Sequence, residues 1–381
     1  MGPIVAAAEL IREAGLARLA EAVPRLGGIY AARRNHVPGP GEAPTSSLLS
    51  PWLRLRLLTE PEVVAAVTAV HGAAAEKFVQ EVCWRTYFKG HLEQHPEIWH
   101  HYRDGLAEAQ EGLAVNPGLA RLYAQAIGGA TGLDCLDTWS RELTATGWLH
   151  NHVRMWFASI WIFSLGLPWH LGADFFAHHL LDHDPASNLL SWRWVAGLHT
   201  RGKPYVARAE NIARYTGGRF NPVGDLDEAP SPLTEPDPPP ATRLPPSDPW
   251  PATATALLLH EDDLAPESLV PGHVHIVRIG VLASQADASS AVRAARTVAL
   301  ADTAARAEAA FDAPATLLRD AAAIADWAAG APVASPYAPV GAVADVLRGM
   351  ALHRIQRSWD QHHWPHCGRG FFQLRAKLQA V

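Results

Sequence analysis

Apolar positions recur at helical spacing through residues 61–82, 118–130, 136–146, 150–166 and 170–181, with polar and charged residues between them. Pro61 stands near the start of the first stretch, where its missing N–H costs little. Strand signals are nearly absent before residue 225, so this part is expected to be all-α. The pattern then changes twice. Residues 226–251 are dense in Pro and acidic residues, which removes backbone donors and predicts an extended linker. Beyond it, Thr255–Leu259 and Val274–Leu282 read as strands, and 287–310, 314–330 and 340–357 read as helices. Strands alternating with helices predict a small α/β, Rossmann-like domain. The expected organisation is a mainly α protein: a helical domain over 1–225, a linker over 226–251 and an α/β domain over 252–381. No internal repeat stands out.

Composition narrows the function classes. No charge-free apolar run approaches the length of a membrane span. The apolar start is interrupted by Glu9, Arg12 and Glu13 and reads as an amphipathic helix rather than a signal peptide. It lacks the Ser or Thr of a myristoylation site. Cys83, Cys135 and Cys367 are too few and too scattered for a disulfide frame or a four-cysteine cluster. A cytoplasmic protein, monomeric and without a membrane partner, is expected. The net charge of −6 argues against polyanion binding by the whole surface. It is uneven: residues 1–225 carry 20 Lys and Arg against 21 Asp and Glu, whereas residues 226–381 carry 12 against 17. If DNA binds, the first part is the better candidate.

Three groups of residues carry candidate chemistry. Ser46, Ser47, Leu48, Leu49, Ser50 and Pro51 follow Gly39-Pro40-Gly41 and precede a helical stretch. Small hydroxyl residues there can bind phosphate or simply cap a helix. The block from Thr131 to Asn221 sets charges among many aromatics, and such charges need partners. Arg154 with Asp182 or Asp184 is the natural pairing. The cluster His362-His363-Trp364-Pro365-His366-Cys367 fits no standard zinc spacing, so no metal is assigned. Neither G-x-G-x-x-G nor a P-loop occurs.

Read together, these blocks resemble the FAD-binding domain of the DNA photolyase/cryptochrome family. Thr146-Gly147-Trp148-Leu149-His150-Asn151-His152-Val153-Arg154-Met155 is similar to the family's TGWMHNR-x-RM. Asp182-His183-Asp184-Pro185-Ala186-Ser187-Asn188, continuing to Trp192 and Trp194, is similar to D-x-D-x-A-x-N-x-x-x-W-x-W. Ser46 to Pro51 resembles the phosphate loop TSRLSP, with Tyr30 upstream, and Gln80-Glu81-Val82-Cys83-Trp84-Arg85-Thr86 resembles NEL-x-WRE. The four blocks stand in family order between residues 30 and 222.

The resemblance implies FAD as cofactor. Ser46, Ser47 and Ser50, in the loop with Leu48 and Leu49, would hold its phosphates, with Tyr30 nearby. Trp148, Asn151 and Arg154 would line the flavin, Arg154 would pair with Asp182, and Asp184 would lie near the isoalloxazine or adenine edge. Asn188 would face flavin N5. Glu81, Trp84, Met155 and Trp194 match positions that contact a pyrimidine dimer, and an aromatic can stack on an extruded base. Trp192 and Trp169 match the inner and middle members of the family's electron-transfer chain; no outer Trp appears near 113–116, where Trp99, Tyr123 or Trp161 would substitute.

The implied function is light-driven repair of cyclobutane pyrimidine dimers in DNA by a lyase, with a cryptochrome-like blue-light photoreceptor without repair as the alternative. Three departures weaken charged contacts: His152 in place of Arg, Leu48 in place of Arg, and Thr86 in place of an acidic residue. The family's N-terminal antenna domain is not found before Tyr30. The stretch Ala256 to Leu269 faintly resembles its first strand, which suggests a transposed antenna-like domain with an unknown second chromophore.

Overall fold

The computed structural model describes residues 6–236, 239–283 and 287–378. It divides into two compact units. One comprises residues 25–48 and 97–239, the other residues 6–24, 49–96 and 240–381.

The first unit is helical. Its main helices are Glu97–Val115, Pro117–Gly128, Asp134–Thr146, Asn151–Ser159, Trp169–His179, Pro185–Val195 and Ala209–Tyr215. Asn116 caps the second of these by accepting from Gly118 N and Leu119 N, with Pro117 at the first helical position. Gly129 and Gly147 end two helices in the left-handed conformation that glycine adopts without penalty. The stretch read as one helix over 150–166 is α-helical only to Ser159 and continues as a π-helical turn over Ile160–Ser164. Its core is aromatic: Trp139, Trp156, Phe157, Trp161 and Trp192 are almost completely buried.

The second unit combines helices with a parallel sheet. The strands β1 (Thr255–Leu259), β2 (Ile276–Leu282), β3 (Ala315–Leu318), β4 (Val333–Pro336) and β5 (His353–Ile355) lie in the order β3-β2-β1-β4-β5. All neighbouring pairs are parallel. The order reverses between β1 and β4, the signature of a doubly wound fold. The expected α/β domain is therefore present, with corrections in detail. The helix expected over 314–330 is β3 followed by a helix over Ala322–Ala328, and that expected over 340–357 is a short helix over Ala342–Val346 followed by β5. β4 carried no strand signal. In such short Ala- and Leu-rich stretches, strand and helix spacing cannot be told apart. The helical stretch at 61–82 breaks at Gly72, whose φ is +52°, so that Glu60–His71 and Glu76–Gln94 are separate helices.

The units do not follow the linear division of the chain. Residues 6–24 and 49–96, read with the helical domain, group with the sheet. The physical reason lies just past β1. Four successive residues there each meet a different partner: His260 Nε2 lies 2.9 Å from Pro336 O, Glu261 pairs with Arg296 at 3.2 Å, Asp262 with Arg54 at 2.7 Å, and Asp263 with Arg357 at 2.6 Å and Arg56 at 3.4 Å. Arg56 also reaches Asp360 at 2.7 Å and Glu60 at 3.3 Å. These charges are buried. Burial alone would raise Asp263, but Arg357 and Arg56 hold it well below the usual carboxylate range.

Among its described residues the Pro-rich segment has no regular secondary structure, yet it is pinned at both ends. Leu233 N donates to Ala196 O and Glu235 pairs with Arg193 in the first unit, whereas Gln356 N donates to Ser247 Oγ in the second. The chain start is a 3-10 turn over Ala7–Glu9 and a helix over Arg12–Ala22, and residues 1–5 of the expected amphipathic helix lie outside the described residues. Among the described residues, no helix is long and apolar enough to cross a membrane.

Candidate functional site

In the helical unit the phosphate-type loop is held from two sides. Arg25 donates from one nitrogen to Pro44 O and Ser46 O, both at 2.8 Å. Thr45 Oγ1 donates to His36 O at 2.6 Å and lies 3.3 Å from His150 Nε2. His150 Nδ1 accepts from His152 N, which leaves the proton on Nε2 to be donated to Thr45. Burial, then the neighbouring His152 and Arg154, push the His150 pKa down to about 3, so this ring is neutral at ordinary pH. Leu48 sits at φ +59°, a left-handed conformation that turns the loop sharply. Ser46 Oγ is buried without a hydrogen-bond partner. An orphaned hydroxyl in a braced loop is what a phosphate oxygen would satisfy. Ser47 is half-buried; Leu49 and Ser50 group with the other unit, where Ser50 is half-buried and opens the helix Ser50–Arg54. The Leu49 side chain is fully buried, so only its backbone is left for such a role. Tyr30 lies on the short helix Gly28–Arg33 and is half-buried.

The second cluster joins the ends of three helices. Arg154 Nη2 donates to Asp182 Oδ2 at 2.8 Å, and its Nε donates to Leu149 O. Asp182 is thus the partner of Arg154. Asp184 is occupied differently: it caps the helix Pro185–Val195 by accepting from Ser187 N at 2.8 Å. Asn188 Nδ2 donates to Ala173 O at 2.8 Å. With the amide turned this way, its Oδ1 is the acceptor left over. Trp148 is nearly buried, while Asn151 is exposed and its amide lies 4.0 Å from Met155 Sδ. His152 is half-buried, stacked on Trp156 with centroids 4.4 Å apart, and its Nδ1 lies 2.9 Å from Asn35 O.

The expected electron-transfer residues fall into two aromatic runs within this unit. Trp192 leads through Trp161 at 6.3 Å to Tyr123 at 6.0 Å, and Trp169 leads through Tyr102 at 5.7 Å to Trp99 at 5.7 Å. Trp192 Nε1 is buried without a hydrogen-bond partner. Trp194 stacks on Tyr205 at 5.3 Å.

Glu81 and Trp84 belong to the other unit, on the helix Glu76–Gln94, where both are half-buried. Phe371 lies flat on Trp84, with centroids 3.8 Å apart and planes 8° from parallel. Thr86, which departs from the family pattern, is buried and accepts from Trp359 Nε1 at 3.0 Å.

Sequence reasoning missed Arg25, Thr45 and His150 as supports of the loop. His150 stood inside a recognised motif, but Arg25 and Thr45 act through backbone geometry that no residue pattern marks. Among the described residues, no group of three or more His, Cys, Asp or Glu is placed to hold a metal.

Comparison with known proteins matches residues 78–226 to the family model described as the FAD binding domain of DNA photolyase. A deoxyribodipyrimidine photo-lyase of Thermus thermophilus is 34% identical over 216 residues, 55% of this chain and 47% of that protein. One from Streptomyces griseus is 33% identical over 185 residues, 47% and 38% respectively. A cryptochrome DASH of Ostreococcus tauri is 32% identical over 185 residues, 47% and 32%. The chain thus spans less than half the length of these relatives. A solved class III photolyase of Agrobacterium tumefaciens aligns at 26% identity over 54% of this chain and 43% of that one, with a TM-score of 0.45.

Proposed function

We propose, from the match of residues 78–226 to the FAD binding domain of DNA photolyase, that the chain is a light-driven photolyase acting on pyrimidine dimers in DNA. The observation that carries the reading is the Arg154–Asp182 pair beside an Asn188 amide whose one remaining acceptor is free to meet a flavin N–H. Bound FAD supplies one-electron chemistry on excitation by blue light. The chain's own residues do the rest. Ser46 Oγ, with Ser47 and Ser50, would satisfy the phosphates, and the braces from Arg25 and Thr45 keep the loop in place. Arg154, Trp148 and Asn151 would bound the flavin, and Asp182 would orient Arg154. Asn188 would hold or refuse a proton at N5. Glu81, Trp84, Met155 and Trp194 would meet the lesion. The two aromatic runs offer routes for an electron from Trp99 or Tyr123 inward. We read the sheet after residue 252 as a transposed antenna-like domain, supported by its all-parallel, doubly wound order.

The test is direct. The purified protein is expected to show a flavin spectrum and, once reduced, to reverse dimers in an illuminated oligonucleotide. Asn188→Asp should change which flavin redox state accumulates under light, and an unchanged photoreduction spectrum would refute the N5 role. Trp84→Ala should weaken dimer binding and spare FAD.

Two features favour a second reading, a photoreceptor without repair. The Trp84 face is covered by Phe371, and His152 and Leu48, each in place of an Arg of the family pattern, remove positive charge that could meet a phosphate. Dimers persisting beside bound, reduced FAD would decide for it.

A further inference from the structure

The helix Phe371–Leu378 has no place in the chemistry above, yet it meets the helix Glu76–Gln94 at the residue assigned to base stacking. Phe371 covers the flat face of Trp84, while Tyr87 and Phe88 contact the same indole at steeper angles, 88° and 35°, with centroids 5.5 Å away. The ring separation is that of stacked bases, and the Phe371 ring fills the position an extruded base would take on this face.

The way this helix is attached suits a removable cap. It follows Gly368-Arg369-Gly370, and Gly370 sits at φ +129°, a conformation that side-chain-bearing residues rarely adopt, with nothing packed where its Cβ would stand. Its apolar anchors are Phe371 and Leu374, packed with Cys83, Tyr87 and Cys367. Its ion pair, Arg375 with Glu76 at 2.6 Å, is solvent-exposed and so adds little. Phe372, which follows Phe371, is 77% exposed. Cys367 itself is locked: it is fully buried, and a Cβ on Gly90 would come within 2.8 Å of its sulfur. The hinge therefore lies between a fixed Cys367 and a helix held by two side chains.

We propose that Phe371 is an internal competitor for the Trp84 ring face, so that the chain is closed to an extruded base while the helix Phe371–Leu378 is docked and opens when that helix leaves. The inference rests on the reading of Trp84 as a base-stacking residue. It specifies the occupant: a single unstacked pyrimidine or pyrimidine dimer in a DNA strand, exchanged for a phenyl ring.

The experiment uses the full chain loaded with FAD and an oligothymidylate carrying one cyclobutane dimer. Affinity is measured for wild type, Phe371→Ala, Phe371→Leu and the Trp84→Ala/Phe371→Ala double variant. Hydrogen exchange in residues 371–378 is followed as oligonucleotide is added. Phe371→Leu keeps apolar volume in the core and loses only the flat face, so it remains informative if the alanine variant folds poorly. Both single variants are expected to bind about tenfold more tightly, the worth of one base–aromatic stack. The double variant should lose that gain, and exchange in the helix should rise when wild type binds. If wild type binds dimer DNA while neither single variant binds more tightly and exchange in the helix stays unchanged, the cap is overturned and the DNA reading stands. If FAD-loaded wild type and every variant fail to bind the oligonucleotide, both fall together.

Discussion

The helical unit buries rings and the sheet-bearing unit buries charges. In the first, Trp139, Trp156, Phe157, Trp161 and Trp192 fill the core, and the buried His150 stays neutral. In the second, Arg54, Arg56, Arg296, Glu60, Glu261, Asp262, Asp263 and Asp360 are all buried, and they pair. A core of rings with few fixed charges leaves its few polar groups, such as Arg154 and Asn188, with one or two well-defined partners. A core of paired ions fixes strand ends and helices in register, because any misplacement strands a charge. The difference separates a unit suited to holding a cofactor from one suited to holding itself together.

The comparison can be broken by mutation. The largest effect is expected for Arg56→Ala, which leaves Glu60, Asp263 and Asp360 without their shared cation and should cost about 3–5 kcal/mol in denaturant unfolding. Arg154→Ala in the helical unit should cost only about 1–2 kcal/mol without FAD, since its side chain is 23% exposed, while abolishing FAD retention. If the order of these two costs is reversed, the contrast between the cores is wrong.

The pH dependence should run in opposite directions. Burial pushes Glu93 up to about 7, against hydrogen bonds from Tyr337 and Val340 N that pull it down. A folded value above the unfolded 4.5 means its contribution is whole below pH 4.5 and is lost as pH rises through about 7, by up to about 3 kcal/mol. His150 behaves in the reverse sense: its contribution is whole above pH 6.5 and is lost as pH falls toward about 3. Glu93→Gln should flatten the loss on the alkaline side and leave the acid side unchanged in thermal melts across this range.

Smaller effects sharpen the account of the aromatic core. A Cβ on Gly172 would run into the Trp192 indole ring, so Gly172→Ala should destabilise by about 1–3 kcal/mol through overpacking. Trp192→Phe should cost less than about 1.5 kcal/mol, since the lost ring area is offset by removing a buried N–H that has no partner. Calorimetry on the two variants would rank them, and equal costs would mean that Gly172 has room to move.

The helical unit was the more legible half. Trp148 to Met155 and Asp182 to Asn188 carry motif and local spacing together, and the structure pairs Arg154 with Asp182. The α/β class was legible from Thr255–Leu259 and Val274–Leu282, but β4 and β5 are three or four residues long, too short to show a period. What no pattern could reveal were contacts between distant residues. Nothing near Arg56 announces Asp360, and nothing near Trp84 announces Phe371. The same blindness explains why residues 49–96, whose motif belongs with the helical domain, pack with the sheet.

The ion cluster beyond β1 also bears on how the chain is made. Arg56 waits for Asp263, 207 residues later, and for Asp360, 304 residues later. At ordinary elongation rates of about 5–20 residues per second, that is on the order of 10–60 seconds during which Arg56 has only Glu60 of its three carboxylates at hand. Residues 97–236 form their contacts over a continuous, shorter stretch and can close first. The order of synthesis thus favours a ribosome-borne intermediate in which the helical unit is already shaped while residues 49–96 remain exposed. In such an intermediate the charges of Arg54, Arg56 and Glu60 are still in water, and their desolvation falls in the last stage of folding.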